Sequence, residues 1–144
     1  MKIELLTWDK IPLAIELIGN TFLQFVAPDY SEEGVKAFFE FINDEKMINS
    51  MEFFGAFEDD ELKGVLSVNN NRSHICCLFV KASDHNRGIA KNLLKFLLAN
   101  SDNNFYTVNS SPYAVGFYEA IGFEATGIQQ VSDGIKFTPM KYQR

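Results

Sequence analysis

The sequence has only two cysteines and two histidines, no long apolar run, and fewer cationic than anionic side chains. Each shortage excludes something. The cysteines are neighbours, Cys76 and Cys77. Successive side chains on a strand point to opposite faces, so they cannot form an ordinary disulfide. With no further cysteine, the chain offers no metal cluster, and the expected state of both thiols is reduced and buried, as in a cytoplasmic protein. No apolar stretch approaches the roughly 20 residues of a membrane span. The opening MKIELLTWDK lacks the pattern of a signal peptide, so no membrane partner is expected. Lys and Arg number 13 against 19 Asp and Glu, a net charge of −6. A nucleic-acid groove needs a basic stripe, so that partner is not expected either. A cationic amine is compatible with the charge.

What is plentiful is apolar surface. Hydrophobic residues make up 47% of the chain, and there are 14 Phe. A chain of 144 residues is the size of one domain and can bury roughly 70% of the surface its unfolded form exposes. No linker, repeat or low-complexity stretch interrupts it, so residues 1–144 read as a single domain.

Two helical stretches and a first strand open the chain. Residues 2–7 read as the strand. Asp9 is expected to cap a helix in which Ile11, Ala14, Ile15, Ile18, Phe22 and Phe25 share one stripe, with Pro12 tolerated in the first turn. Pro28 closes it. Ser31 opens the next helix, with Glu32 and Glu33 at the favourable end of its dipole and Val35, Phe38, Phe39 and Ile42 on its apolar face. From Met51 the period becomes that of strands. MEFFGAFE and LKGVLSVNN flank a turn at Asp59-Asp60, and after a turn at 69–72 comes SHICCLFV, apolar enough for the middle of a sheet. A polar, glycine-containing turn then leads into a helix with Ile89, Leu93, Phe96 and Leu97 on one side. A strand NFYTVN follows, then a helix expected to be capped by Ser111, started by Pro112 and ended by Gly122. Strands near 123–131 and 135–142, joined at Asp133-Gly134, complete an α+β domain.

The chemistry concentrates in the strand Cys77-Leu78-Phe79-Val80 and the turn Asp84-His85-Asn86-Arg87-Gly88-Ile89-Ala90-Lys91. Unpaired N–H groups and a partial positive charge make a helix start attractive to phosphate. Gly88 and Ala90 keep the backbone approachable, and Arg87 and Lys91 can add charge at the rim. There is no G-x-x-x-x-G-K-[ST] run for a P-loop. The lone turn glycine and the hairpin-rich first half also do not suit a dinucleotide-binding βαβ unit.

The run His85-Asn86-Arg87-Gly88-Ile89-Ala90 resembles the acetyl-CoA loop of the GNAT superfamily of N-acetyltransferases, Gln/Arg-x-x-Gly-x-Gly/Ala, with His85 replacing the usual first residue. Downstream, Asn109-Ser110-Ser111-Pro112 and the segment from Phe117-Tyr118 to Gly122-Phe123 resemble that family's late motif, and the order of elements fits. The resemblance implies an acyl-CoA N-acyltransferase fold, a twisted mixed and mainly antiparallel sheet flanked by helices. It also implies acetyl-CoA as co-substrate, a small-molecule or peptide amine as acceptor and, by analogy, a homodimer. Leu78, Phe79 and Val80 would hold pantetheine, and the N–H groups of Asn86 to Lys91 the pyrophosphate. Asn109 would contact the cofactor through its side chain.

Tyr118 matches the tyrosine that such enzymes use as general acid, since a phenol is protonated at neutral pH and can donate to a departing thiolate. Its alternative is packing beside Phe117 and Ile121. Regular alternation puts His74, Cys76, Leu78 and Val80 on one strand face, at the spacing where some relatives keep a glutamate base. His74 is therefore a candidate base, and its alternative is a solvated strand-end histidine. A Cys76–His74 nucleophile pair lacks a helix N-terminus or nucleophile elbow behind the thiol. Tyr30, Phe54, Asn69 and the 129–135 turn are candidates for the acceptor pocket. The rival to an enzyme is a non-catalytic acyl-CoA-binding module on the same fold.

Overall fold

A computed structural model describes residues 1–144. Strand β1 (Lys2–Leu5) leads to helices α1 (Ile11–Phe25), α2 (Glu32–Asn43) and α3 (Glu45–Asn49). Then come β2 (Met51–Glu58), β3 (Glu61–Asn69), β4 (His74–Val80), α4 (Ile89–Ala99), β5 (Phe105–Ser110) and α5 (Val115–Ile121), followed by β6 (Glu124–Ala125), β7 (Gln130–Ser132) and β8 (Ile135–Gln143). The strands form one sheet in the order β1-β2-β3-β4-β5-β8-β6, with β7 also on β8. Only β4 and β5 run parallel; the remaining pairs are antiparallel. No helix is long and apolar enough to cross a membrane.

The sheet has an apolar cluster on each face. Helices α4 and α5 cover one, where Ile89, Leu93, Leu97 and Tyr118 meet Phe54, Leu66, Ile75 and Val108. The other is covered by α1–α3, where Ala14, Leu17, Ile18 and Ile42 meet Phe53, Val65 and Cys77. Spacings of three and four put Ala14, Leu17, Ile18, Thr21 and Phe22 on the buried stripe of α1. Ser31 caps α2 by accepting from Gly34 N at 3.2 Å, with Glu32 and Glu33 in the first turn. The start of α2 presses on the β7–β8 turn, where a Cβ on Gly34 would run into the Gly134 carbonyl. Tyr30 Oη anchors the same junction by donating to Lys136 O at 3.1 Å.

The hairpins turn where the sequence indicates. Asp59 and Asp60 have φ of 52° and 63°, and Asp133 and Gly134 have 53° and 78°, the left-handed values a two-residue hairpin requires. Local expectations fail in four places. Asp9 does not cap α1; it sits in a 3₁₀ turn, Trp8–Lys10, where it accepts from Thr7 Oγ1 at 2.5 Å. Ser111 makes no side-chain cap, because Pro112–Ala114 is a 3₁₀ turn inserted before α5. The expected strand over 123–131 is two short ones. There Pro139 of β8, which has no N–H, offers only a carbonyl, and Thr126 N donates to it at 2.8 Å. Helix α3 was not indicated by any periodic run; Asp44 starts it by accepting from Lys46 N and Met47 N.

One irregularity in β4 governs the site. In the β3–β4 register, Ser67 faces Cys77 but Val68 faces Ile75, so an extra β4 residue is bulged between them. The bulge resets the alternation. Ile75, Leu78 and Val80 pack toward the α4 face, whereas Cys76, Cys77 and Phe79 pack toward the α1–α3 face.

Candidate active site

Parallel pairing between β4 and β5 is confined to His74↔Thr107 and Ile75↔Val108. From Cys76 onward the edge of β4 that faces β5 has no strand partner, and the two strands diverge. Backbone N–H and C=O groups are obligatory hydrogen-bonding groups, so an unpaired strand edge lining a cavity is a ready partner for an extended amide-bearing ligand. The divergence opens into a cavity of about 710 Å³. Its lining brings together Leu78, Phe79 and Val80 from β4, His85, Asn86, Gly88, Ile89, Ala90 and Lys91 from the turn and α4, Asn109 from β5, and Tyr118 from α5.

The turn is shaped by two left-handed residues, Asn86 at φ 63° and Gly88 at φ 79°. The first intrahelical bond of α4 runs from Asn92 N to Gly88 O at 2.9 Å. The N–H groups of Ile89, Ala90 and Lys91 therefore lie in the unpaired first turn. A Cβ on Gly88 would meet nothing within 4 Å, so the glycine serves its backbone angle and leaves the approach open. Behind it, Gly64 of β3 lets α4 sit close, since a Cβ there would be 2.9 Å from Ile89 Cγ2. His85 closes the turn: its Nε2 donates to Val80 O at 2.7 Å, and its ring lies 4.6 Å from that of Phe25.

Arg87 departs from its expected role. Its guanidinium donates to Asp84 Oδ1 at 2.5 Å and to Glu58 Oε2 at 2.6 Å, and the residue is outside the cavity lining. Two carboxylates consume its charge, so Lys91 is the turn cation left at the rim. Asp84 also pairs with Lys63 at 3.4 Å. Burial pushes the Asp84 carboxyl up, but bonds from Ser83, Arg87 and Lys63 outweigh it and hold the group below the usual carboxylate range.

Tyr118 is buried, 4% exposed, yet lines the cavity. Its hydroxyl makes no hydrogen bond within the protein, and burial, with the nearby Cys77 thiol adding to it, raises the phenol well above its ordinary value. The same surroundings push the Cys76 thiol up to about 11 and the Cys77 thiol up to about 12, mainly by burial. Neither thiol is activated, which removes the chemistry a Cys–His pair would need.

His74 requires a correction. The bulge places it on the face opposite Leu78 and Val80, at the closed end of the β4–β5 pair and outside the cavity lining. Its Nδ1 and Thr107 Oγ1 share a hydrogen bond of 2.7 Å, and burial lowers its pKa. It is a partly buried residue at a paired strand end, off the cavity where the reaction would occur. Three acceptor-pocket candidates are also displaced, among them the 129–135 turn, none of whose residues is on the lining. Phe54 is buried in the core against Phe96, and Asn69 holds the turn to β4 through Ser73. Tyr30 does line the cavity.

The cavity also takes in Phe22 and Phe25 of α1, Phe38 of α2, and Tyr113 in the turn before α5. Sequence periodicity marks Phe22, Phe25 and Phe38 as core-facing, and a helix stripe alone carries no sign that part of its face borders a void.

A sequence model of the acetyltransferase (GNAT) domain matches residues 26–144. Among solved structures, a GCN5-related N-acetyltransferase from Rhodopseudomonas palustris superposes with a TM-score of 0.81 at 20% identity, covering 99% of this chain and 95% of that one. The PaiA N-acetyltransferase of Thermoplasma acidophilum, in complex with coenzyme A, gives 0.75 at 24% identity over 100% of both chains. An acyl-CoA N-acyltransferase from Pseudomonas aeruginosa gives 0.71 at 14% identity over 99% of both. At these identities the likeness is one of fold.

Proposed function

The chain belongs to the GNAT acetyltransferase family, and from that premise we propose that it transfers an acetyl group from acetyl-CoA directly to a primary amine. One observation carries the reading. The unpaired edge of β4, the open turn at Gly88 and the unpartnered Tyr118 phenol all border a single cavity. Pantetheine would pair with the edge at Leu78–Val80, its pyrophosphate would sit on the N–H groups from Asn86 to Lys91, and Asn109 would contact the arm from the other side.

In the reaction the amine nitrogen attacks the thioester carbonyl carbon and forms the C–N bond. The C–S bond breaks, and the thiolate takes the Tyr118 proton. The proton lost from the nitrogen then returns to the phenolate through solvent. A raised phenol pKa by itself weakens the donor. Desolvation, however, acts on the leaving thiolate too: the two resident thiols are at about 11 and about 12 in these surroundings. Burial therefore raises donor and acceptor in the same direction. No side chain takes the role of base. An apolar cavity disfavours an ammonium ion, and this favours the neutral amine that attacks.

The test is release of free thiol from acetyl-CoA in the presence of an amine panel, with product amide identified by mass. Amide formed in step with thiol supports the reading. Cofactor binding with no amide from any amine would leave a non-catalytic acyl-CoA-binding module.

A further inference from the structure

Resting on the transferase reading above, we propose that the acceptor is a monoamine on an uncharged, apolar, ring-bearing body, and that polycationic amines are rejected. The α1–α2 side of the cavity is a wall of rings. Phe22 and Phe38 stack with centroids 3.8 Å apart and planes 9° apart, Tyr30 stands edge-on to Phe22 at 5.4 Å, and Phe79 of β4 meets Phe38 at 6.0 Å. Phe25 continues the wall toward His85 and Tyr113.

Charge decides which amine fits. The only carboxylate on the lining is Asp84, and it is already held by Lys63 and Arg87 at the phosphate-loop end. The Tyr30 hydroxyl is committed to Lys136 O. A single ammonium can be met on entry by ring faces and then lose its proton for the reaction. A second ammonium, as in a polyamine or an aminoglycoside, would be held against this apolar lining with no free counter-charge, and a desolvated, unpaired charge is strongly disfavoured. A substrate carboxylate fares no better, because Lys91 is the one unpaired cation on the lining and lies at the start of α4. An apolar body with one amino group remains.

The experiment fixes acetyl-CoA and compares kcat/KM for 2-phenylethylamine, spermidine and kanamycin, with cofactor binding followed separately by thermal shift. The expected result is a preference for 2-phenylethylamine over both polycations of about 100-fold or more, the scale of leaving one buried charge unpaired. Phe38→Glu should narrow that ratio by about tenfold or more, by adding the missing counter-charge. If that variant does not fold, Phe38→Leu carries the test. It should lower kcat/KM for 2-phenylethylamine by about 3- to 10-fold with acetyl-CoA affinity kept, on the scale of one ring contact. Equal or better use of spermidine or kanamycin overturns the inference while leaving the transferase reading intact. The inference is also overturned if decanoyl-CoA is preferred over acetyl-CoA and competes with 2-phenylethylamine, which would make the ring wall an acyl-chain site. If acetyl-CoA binds and no amine is acetylated, the transferase reading itself fails.

Discussion

The two ends of the β4–β5 pair are built from the same strands and serve opposite purposes. At the closed end, His74 lies beside Thr107 and Ile75 beside Val108, the backbones are paired, and the histidine ring has a hydrogen-bond partner. At the open end, a few residues on, β4 has lost its neighbour, Asn109 faces the cavity, and the Tyr118 hydroxyl has no partner. Buried polar residues are normally satisfied, so a buried tyrosine whose hydroxyl has no protein partner and which lines a cavity marks a place where a ligand can supply the missing half. Residue type alone ranks the ends wrongly. The histidine is the more reactive-looking side chain, yet it belongs to the end that is finished.

Substitutions at the two ends break or sharpen the contrast, in decreasing order of effect. Tyr118→Phe keeps the ring packing and removes the donor at the open end. Turnover should fall by roughly 10²- to 10⁴-fold with acetyl-CoA affinity nearly unchanged. Unchanged turnover, with chemistry shown to be rate-limiting, would reduce Tyr118 to a core residue.

Gly88→Glu attacks the same end at the cofactor. It sets a carboxylate toward the phosphate position and demands φ 79° of a residue with a Cβ. The backbone strain is about 1 kcal/mol, which the fold should survive. Acetyl-CoA at 100 times its dissociation constant should stabilise the native protein by about 2.7 kcal/mol, and the variant should lose that shift. A shift retained in full would mean that the turn does not hold the cofactor.

The sharpest comparison lies within β5. Asn109→Ala should weaken acetyl-CoA about 5-fold, the value of one hydrogen bond, whereas Thr107→Val, two residues earlier, should leave that affinity alone. Binding titrations on both variants check it, and equal losses would erase the distinction between the ends.

Much of this architecture is legible along the chain because its determinants are local. The glycine-containing turn between an apolar strand and an amphipathic helix announces itself within about ten residues, and so do the Asp59-Asp60 and Asp133-Gly134 turns. The bulge in β4 does not. Cys76 and Cys77 have no signature of it, and strict alternation therefore carries His74 to the wrong face. Arg87 turns away from the cavity for a related reason: its partner Glu58 is 29 residues away, and only the fold brings the two together. The ring wall is likewise a tertiary product, since Phe22 and Phe38 meet across two helices, and either one alone reads as core.

The closed end makes the smallest prediction and the one that isolates it most cleanly. Burial lowers the pKa of His74 in the folded protein, against an unfolded value of about 6.5. Below that value the unfolded chain binds a proton that the native histidine refuses, so protons pull toward unfolding. Stability is therefore whole above the unfolded pKa and declines as pH falls from it toward the lowered folded value. His74→Gln retains a polar partner for Thr107 but cannot titrate. Urea unfolding of both proteins between pH 5 and 7.5 should show a shallower loss on acidification in the variant, while kcat/KM follows the same pH profile in both. The opposite pattern would be decisive. If His74→Gln removes an acidic limb from kcat/KM and leaves the pH dependence of stability unchanged, the ring handles a proton of the reaction. The closed end would then be part of the catalytic apparatus.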